Sequence, residues 1–249
     1  MHKNKPDWTK LITPEMAEVV AHIRQWNEEH PATSNYLQDY MDERVFWNDG
    51  GPVPAKVIEV EIEGPYGKIP CRLHYPRISD QPMGMMLYAH GGSLYLGNND
   101  THSRIMRTLT EKSDTVVIGV DYHLAPQNRF PKWIEECVVA TKYFRAHAAE
   151  YGLDANDVSF AGDSAGAWLS MATMLWLRDE DPDISYVTSL LLYYGLYGMY
   201  DSPTQRLYGN EIDGMMREYD EKLYPASIVD EEDVKSPHCD LLYNDLTQN

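Results

Sequence analysis

Apolar positions along this chain change period several times, and each change marks an element. Between Thr13 and Asn27 they fall at Met16, Val19, Val20, Ile23 and Trp26, which predicts a helix with one buried stripe, opened by Thr13 as N-cap and Pro14 as first helical residue. A second, polar-aromatic helix is expected over Ser34–Trp47. The period then drops to two in Val57–Ile62 and Ile69–Tyr75, on either side of Gly64-Pro65-Tyr66-Gly67, which reads as an antiparallel pair with both strands at a sheet edge. Met85–Ala89 and Thr115–Val120 are continuous apolar runs, as strands covered on both faces require. Helices are expected at Ser103–Lys112 and Lys132–Glu150, then a strand at Asp157–Ala161, a helix at Ala165–Leu177 and a buried strand at Val187–Tyr194. Trp168, Met171, Met174, Leu175 and Trp176 occupy most of the surface of that last helix, which marks it as a buried element. Strands alternating with helices imply right-handed parallel crossovers. The fold class is therefore α/β, a mostly parallel open sheet with helices on both faces.

A chain of 249 residues with 43% hydrophobic content can bury one sizeable core, so residues 1–249 read as a single domain. Residues 1–50 form an N-terminal helical cap in this reading, and the polar, acidic stretch 201–233 a second cap segment over the sheet. The net charge of −18 disfavours nucleic acid and anionic membrane surfaces and suits a neutral or cationic small molecule. Met1–Lys10 is polar, without the apolar core of a signal peptide or a membrane span, and a cytoplasmic location is the expectation. Three widely spaced cysteines, Cys71, Cys137 and Cys239, fit reduced thiols.

The chemistry concentrates at Gly162-Asp163-Ser164-Ala165-Gly166, between the strand ending at Ala161 and the helix starting at Ala165. A strand that reverses into a helix within so few residues leaves room only for glycine at the flanks and pushes the serine hydroxyl outward. This is the setting of a nucleophile elbow, with the positive end of the helix dipole beneath the hydroxyl. His90-Gly91-Gly92-Ser93 follows the strand Met85–Ala89, where an oxyanion loop belongs. His90, Gly91 and Gly92 are the expected oxyanion-hole residues of this loop, with the Ala165 amide as their companion. No histidine pair is spaced as HExxH, and neither metal nor cofactor is expected. Asp100 is read as the cap of the helix that follows Thr101 and His102.

These residues resemble the hormone-sensitive-lipase-like branch of the α/β hydrolases and, within it, the bacterial acetyl esterase subgroup. The likeness covers nearly the whole chain. It rests on His90-Gly91-Gly92, Leu96-Gly97-Asn98 with Asp100-Thr101-His102, Asp121-Tyr122 followed by Leu124-Ala125-Pro126 and Phe130-Pro131, and Gly162 to Gly166. Phe46-Trp47-Asn48, and Tyr194-Gly195-Leu196-Tyr197-Gly198 leading to Asp201-Ser202, are similar to the acetyl esterase subgroup in particular. The resemblance implies an α/β-hydrolase fold whose last strands are missing. It also implies cleavage of small, neutral short-chain acyl esters through an acyl-enzyme on Ser164, with neither metal nor cofactor.

The chain departs from the family pattern in three ways. Ser93 stands where a third glycine is usual, so a positive φ there would carry strain. Gln127 stands where the family has Glu. The triad order of this fold is Ser, acid, His, and by resemblance the acid and the base fall beyond Asn249. His238 and Asp245 come in the reverse order, and neither matches a catalytic position. The alternative reading is therefore a catalytically incompetent homologue acting as a binding or regulatory protein, or a non-functional fragment. A homodimer or a regulatory protein partner stays open, and an unpaired sheet edge at Val187–Tyr194 predicts self-association.

Overall fold

The computed structural model describes residues 12–181, 183–198, 229–230 and 232–247, so 201–228 of the expected second cap lie outside the described residues. The chain divides into two compact units, Met1–Arg44 and Val45–Asn249.

In the first unit, helix α1 (Pro14–Glu29) begins as expected, with the Thr13 hydroxyl accepting the Met16 amide at 3.3 Å. Its predicted stripe is only half covered: Val19, Val20, Ile23 and Trp26 are intermediate in exposure, and none of its residues is buried. A single amphipathic helix buries its stripe only against a broad apolar surface. Helix α2 (Tyr36–Asn48) runs from this unit into the second.

The second unit is built on six strands: β1 (Lys56–Gly64), β2 (Gly67–Tyr75), β3 (Met83–Ala89), β4 (Val116–Val120), β5 (Leu153–Asp163) and β6 (Val187–Tyr193). Their order across the sheet is β1-β2-β4-β3-β5-β6. The last four are parallel, while β1 and β2 join antiparallel. Of the two antiparallel strands, only β1 therefore lies at an edge of the described sheet. β2, also expected at an edge, lies inside because its second side pairs with β4 from Cys71↔Val120 to His74↔Val117. The burial of Cys71, Leu73, His74 and Tyr75 follows from that pairing.

Helices α4 (Lys132–Ala146), α5 (Ala148–Tyr151) and α6 (Ala165–Glu180) share one core with the sheet around Trp133, Phe144, Phe160 and Trp168. Helix α3 (Ser103–Ser113) packs with Met86, Tyr88, Val117 and Ala161 in a separate cluster. The single helix expected from Lys132 to Glu150 breaks at His147. At the other edge, β6 has no fully buried residue. Its apolar run packs against β5 and α6, and among the described strands it has no second neighbour. No described helix is long and apolar enough to cross a membrane.

Candidate active site

Strand β5 and helix α6 meet at a single residue, Ser164, whose φ of 53° and ψ of −120° no strand or helix provides. A non-glycine residue at positive φ holds about 1–3 kcal/mol of strain that the surroundings must over-determine. Here they do. The Ser164 amide donates to the Tyr193 carbonyl at 2.8 Å, and its own carbonyl accepts the Ala167 amide at 3.1 Å. A Cβ on Gly166 would come within 2.0 Å of the Ala89 carbonyl oxygen and 2.6 Å of that of His90, so the first turn of α6 sits directly on the end of β3. This contact brings the loop after His90 and the serine together. Ser164 is half-buried, and its hydroxyl makes no hydrogen bond to a described residue.

The loop itself is a tight turn in which the Gly92 carbonyl accepts the amides of Tyr95 and Leu96 at 3.0 and 2.9 Å. Gly92 has φ of 117°, and any side chain there would strike the Leu96 carbonyl, 2.1 Å from a Cβ. Ser93 and Leu94 follow at φ 55° and 64°, so the position where a third glycine is usual does adopt the left-handed region, with a side chain in place.

One predicted donor is corrected. The Gly91 amide is already engaged by the Asp163 carboxylate, donating to Oδ1 at 2.9 Å, and it is unavailable to a reacting oxygen. His90, expected in the same oxyanion hole, is a packing residue: its ring is 2% exposed and stacks on Tyr122 at 4.4 Å between centroids. Its Nδ1 faces the Gly91 carbonyl at 2.8 Å, so the proton sits on Nδ1 and Nε2 is left buried without a partner. Burial, reinforced by His102, depresses the His90 imidazole to about 3, and it stays neutral. The Ala165 amide, at the first position of α6, has no acceptor one turn back in its own helix.

Sequence reasoning missed the residue that joins the two halves. Asp163 is 6% exposed, and besides Gly91 it accepts the Tyr88 hydroxyl at 2.6 Å and the Tyr194 hydroxyl at 3.1 Å, with His102 Nε2 3.6 Å away. Burial alone would push its carboxyl up, but His102, then the Tyr88 hydroxyl and the Gly91 amide, hold it well below the usual carboxylate range. Its signal was an acid inside an otherwise apolar strand end. Asp100 does not cap α3: the N-cap is His102, without a side-chain bond, while the Asp100 carboxylate pairs with Arg72 at 2.8 Å.

His238 and Asp245 are remote from this centre. His238 Nε2 contacts Asp179 at 2.8 Å near the far end of α6, and Asp245 accepts from Thr247 in a turn. No described histidine is hydrogen-bonded to Ser164. Among the described residues no three His, Cys, Asp or Glu side chains converge as metal ligands.

A family model described as the alpha/beta hydrolase fold matches residues 86–249. Acetyl esterases of Salmonella typhi and of Salmonella schwarzengrund (strain CVM19633) are 44% identical over 212 residues, which is 85% of this chain and 65% of theirs. The chain thus spans 65% of the length of these curated relatives. A solved hyperthermophilic esterase of the archaeon Pyrobaculum calidifontis superposes with a TM-score of 0.77 at 24% identity, covering 94% of this chain and 75% of that one. A thermophilic carboxylesterase cloned from a metagenomic library gives 0.76 at 25% identity, covering 86% and 74%. With the elbow, the glycine loop and the sheet order in agreement, the chain belongs to the α/β hydrolase fold family, in its hormone-sensitive-lipase-like branch.

Proposed function

We propose that this chain carries the nucleophile and the oxyanion donors of a serine carboxylesterase of the acetyl esterase type, acting on small, neutral short-chain acyl esters. The observation that carries the reading is the strained Ser164, held at the head of α6 against the end of β3. Its Oγ would attack the acyl carbon, the carbonyl oxygen would take the negative charge, and the alcohol would leave with a proton as the acyl-enzyme forms. Water then releases the acid and restores the serine. The amides of Gly92, Ser93 and Ala165 are the donors for the oxyanion. The proton acceptor for Oγ lies outside the described residues. In the same reading, residues 1–50 and 201–233 restrict the acyl group, and the protein works in the cytoplasm without cofactor.

A second reading, a homologue that binds without turnover, draws on the absence of a described histidine bonded to Ser164. Hydrolysis of 4-nitrophenyl acetate by this chain and by Ser164→Ala separates the two. The esterase reading expects the rate above background to vanish in the variant; equal rates leave the binding reading.

A further inference from the structure

The glycine loop is held from outside the elbow by the segment that leaves β4. Tyr122 stacks on the His90 ring and donates its hydroxyl to the His90 carbonyl at 2.7 Å. The Ala125 amide donates to the Leu94 carbonyl at 2.8 Å, and Asp121 Oδ1 accepts the Asn99 amide at 2.6 Å. Residues 121–125 thus touch the loop before, within and after its left-handed turn. Between those contacts stands His123, which makes no hydrogen bond to the loop and whose ring would lie 3.4 Å from a Cβ on Gly67. It is tied instead to α4, where Glu136 accepts the His123 amide at Oε2 (2.9 Å) and meets the imidazole Nδ1 at Oε1 (2.6 Å).

The two partners differ sharply in exposure. The Glu136 side chain is fully buried, whereas that of His123 is 39% exposed. A buried carboxylate is tolerated only where it is hydrogen-bonded, and here the described partners are both donors of one residue. Burial pushes the Glu136 carboxyl up, and the His123 amide and ring act against that. A carboxylate that grips one residue by backbone and side chain together fixes its φ, ψ and χ1 at once. A single contact would leave the segment free to pivot.

We propose that His123 is a positioning residue for the oxyanion loop: clamped by Glu136 to α4, it holds residues 121–125 so that Tyr122 and Ala125 keep the Gly92–Leu94 turn in its strained form. The catalytic meaning of this rests on the reading of Ser164 given above. The mechanical claim does not.

Amide hydrogen exchange tests the mechanical claim directly. The Tyr95 and Leu96 amides, both bonded to the Gly92 carbonyl, report on the turn, and the start of β1 over residues 56–60, at the end of the hairpin away from Gly67, is the control. In His123→Ala, exchange at residues 90–98 should accelerate by about tenfold or more, as loss of a charge-assisted bond implies, with the control unchanged. His123→Asn, which keeps a donor near the Nδ1 position, should restore protection. Should His123→Ala fail to fold, Glu136→Gln replaces it, since Gln keeps the volume but loses one acceptor. Unchanged exchange in the loop, or equal acceleration in the control, overturns the proposal. Labelling of Ser164 by a small fluorophosphonate should slow in His123→Ala and recover in His123→Asn. An unlabelled wild-type chain would count against the Ser164 reading, while exchange still decides the clamp.

Discussion

The two ends of helix α6 hold similar residue types and behave differently. At its start stand Ser164 and the buried Asp163; near its finish stand Asp179 and His238, in contact at 2.8 Å, with the Trp176 ring 4.9 Å from the imidazole. At about 1.5 Å rise per residue, Asp179 lies about 21 Å beyond Ala165, so the serine of one end and the histidine of the other cannot share a proton. The first end is over-determined by backbone contacts from β3 and β6 and by a four-partner carboxylate. The second is a surface arrangement beside an open groove of about 350 Å³, lined by Met171, Met174, Val187, Leu190 and Leu246. A serine, an acid and a histidine make a site only where long-range packing holds them. Only the first end has that packing.

The sharpest way to break this contrast is steric. Gly166→Val places a Cβ about 2.0 Å from the Ala89 carbonyl oxygen, and neither backbone can give way. A loss of about 3–5 kcal/mol, or no soluble protein, is expected in urea unfolding. Met174→Ala, half-buried near the other end, should lower stability by no more than about 2 kcal/mol, at the mild end of core truncations. Comparable losses for the pair would erase the distinction.

Charge removal probes the same difference. Asp163→Asn leaves the Gly91 amide, Tyr88 and His102 facing a neutral group in a dry site, and should destabilise by about 3 kcal/mol. Asp179→Asn should change the unfolding free energy by less than about 1 kcal/mol, as for pairs at the surface.

Acid should act through buried histidines first. Burial holds His90 at about 3, and burial with Arg72 holds His74 at about 4, against an ordinary value of 6.5. The fold prefers their neutral forms, so this stability is complete above pH 6.5 and is lost as pH falls toward those values, at about 1.4 kcal/mol per pH unit for each proton. Asp121, pushed up to about 6 by burial, takes its proton in the fold and offsets about one of the two below pH 6. Asp163 adds its own loss at lower pH, below the ordinary carboxylate value, because its folded value is depressed. Unfolding followed from pH 7 to 4 should therefore show a net slope near one proton. His74→Gln should flatten it; an unchanged slope in that variant would remove His74 from the account.

The smallest effect is the most local. Ser93→Gly relieves a side chain at φ 55°, and should stabilise by at most about 1 kcal/mol, since the added freedom of the unfolded chain works against it.

Much of this architecture was legible from local pattern. The strand-to-helix junction at Gly162–Gly166 announced the elbow because its steric demand is met by adjacent residues. The alternation in Val57–Ile62 and Ile69–Tyr75 announced a hairpin for the same reason. Neither pattern could say that β2 also pairs with β4, since a strand half-buried at an edge and one inside a sheet alternate alike.

The amino-acid order by itself determined the elements, the serine at the sharp turn and the glycine loop, because propensity, period and close backbone approach act between near neighbours. The tertiary structure alone decided that the Gly91 amide belongs to Asp163, that His90 packs rather than donates, that His238 ends up with Asp179, and that Glu136 grips His123. In each case the partners are separated by stretches of chain whose path only the assembled sheet and its packed helices define. A hydrogen-bond donor is committed or free according to what the fold brings within 3 Å of it.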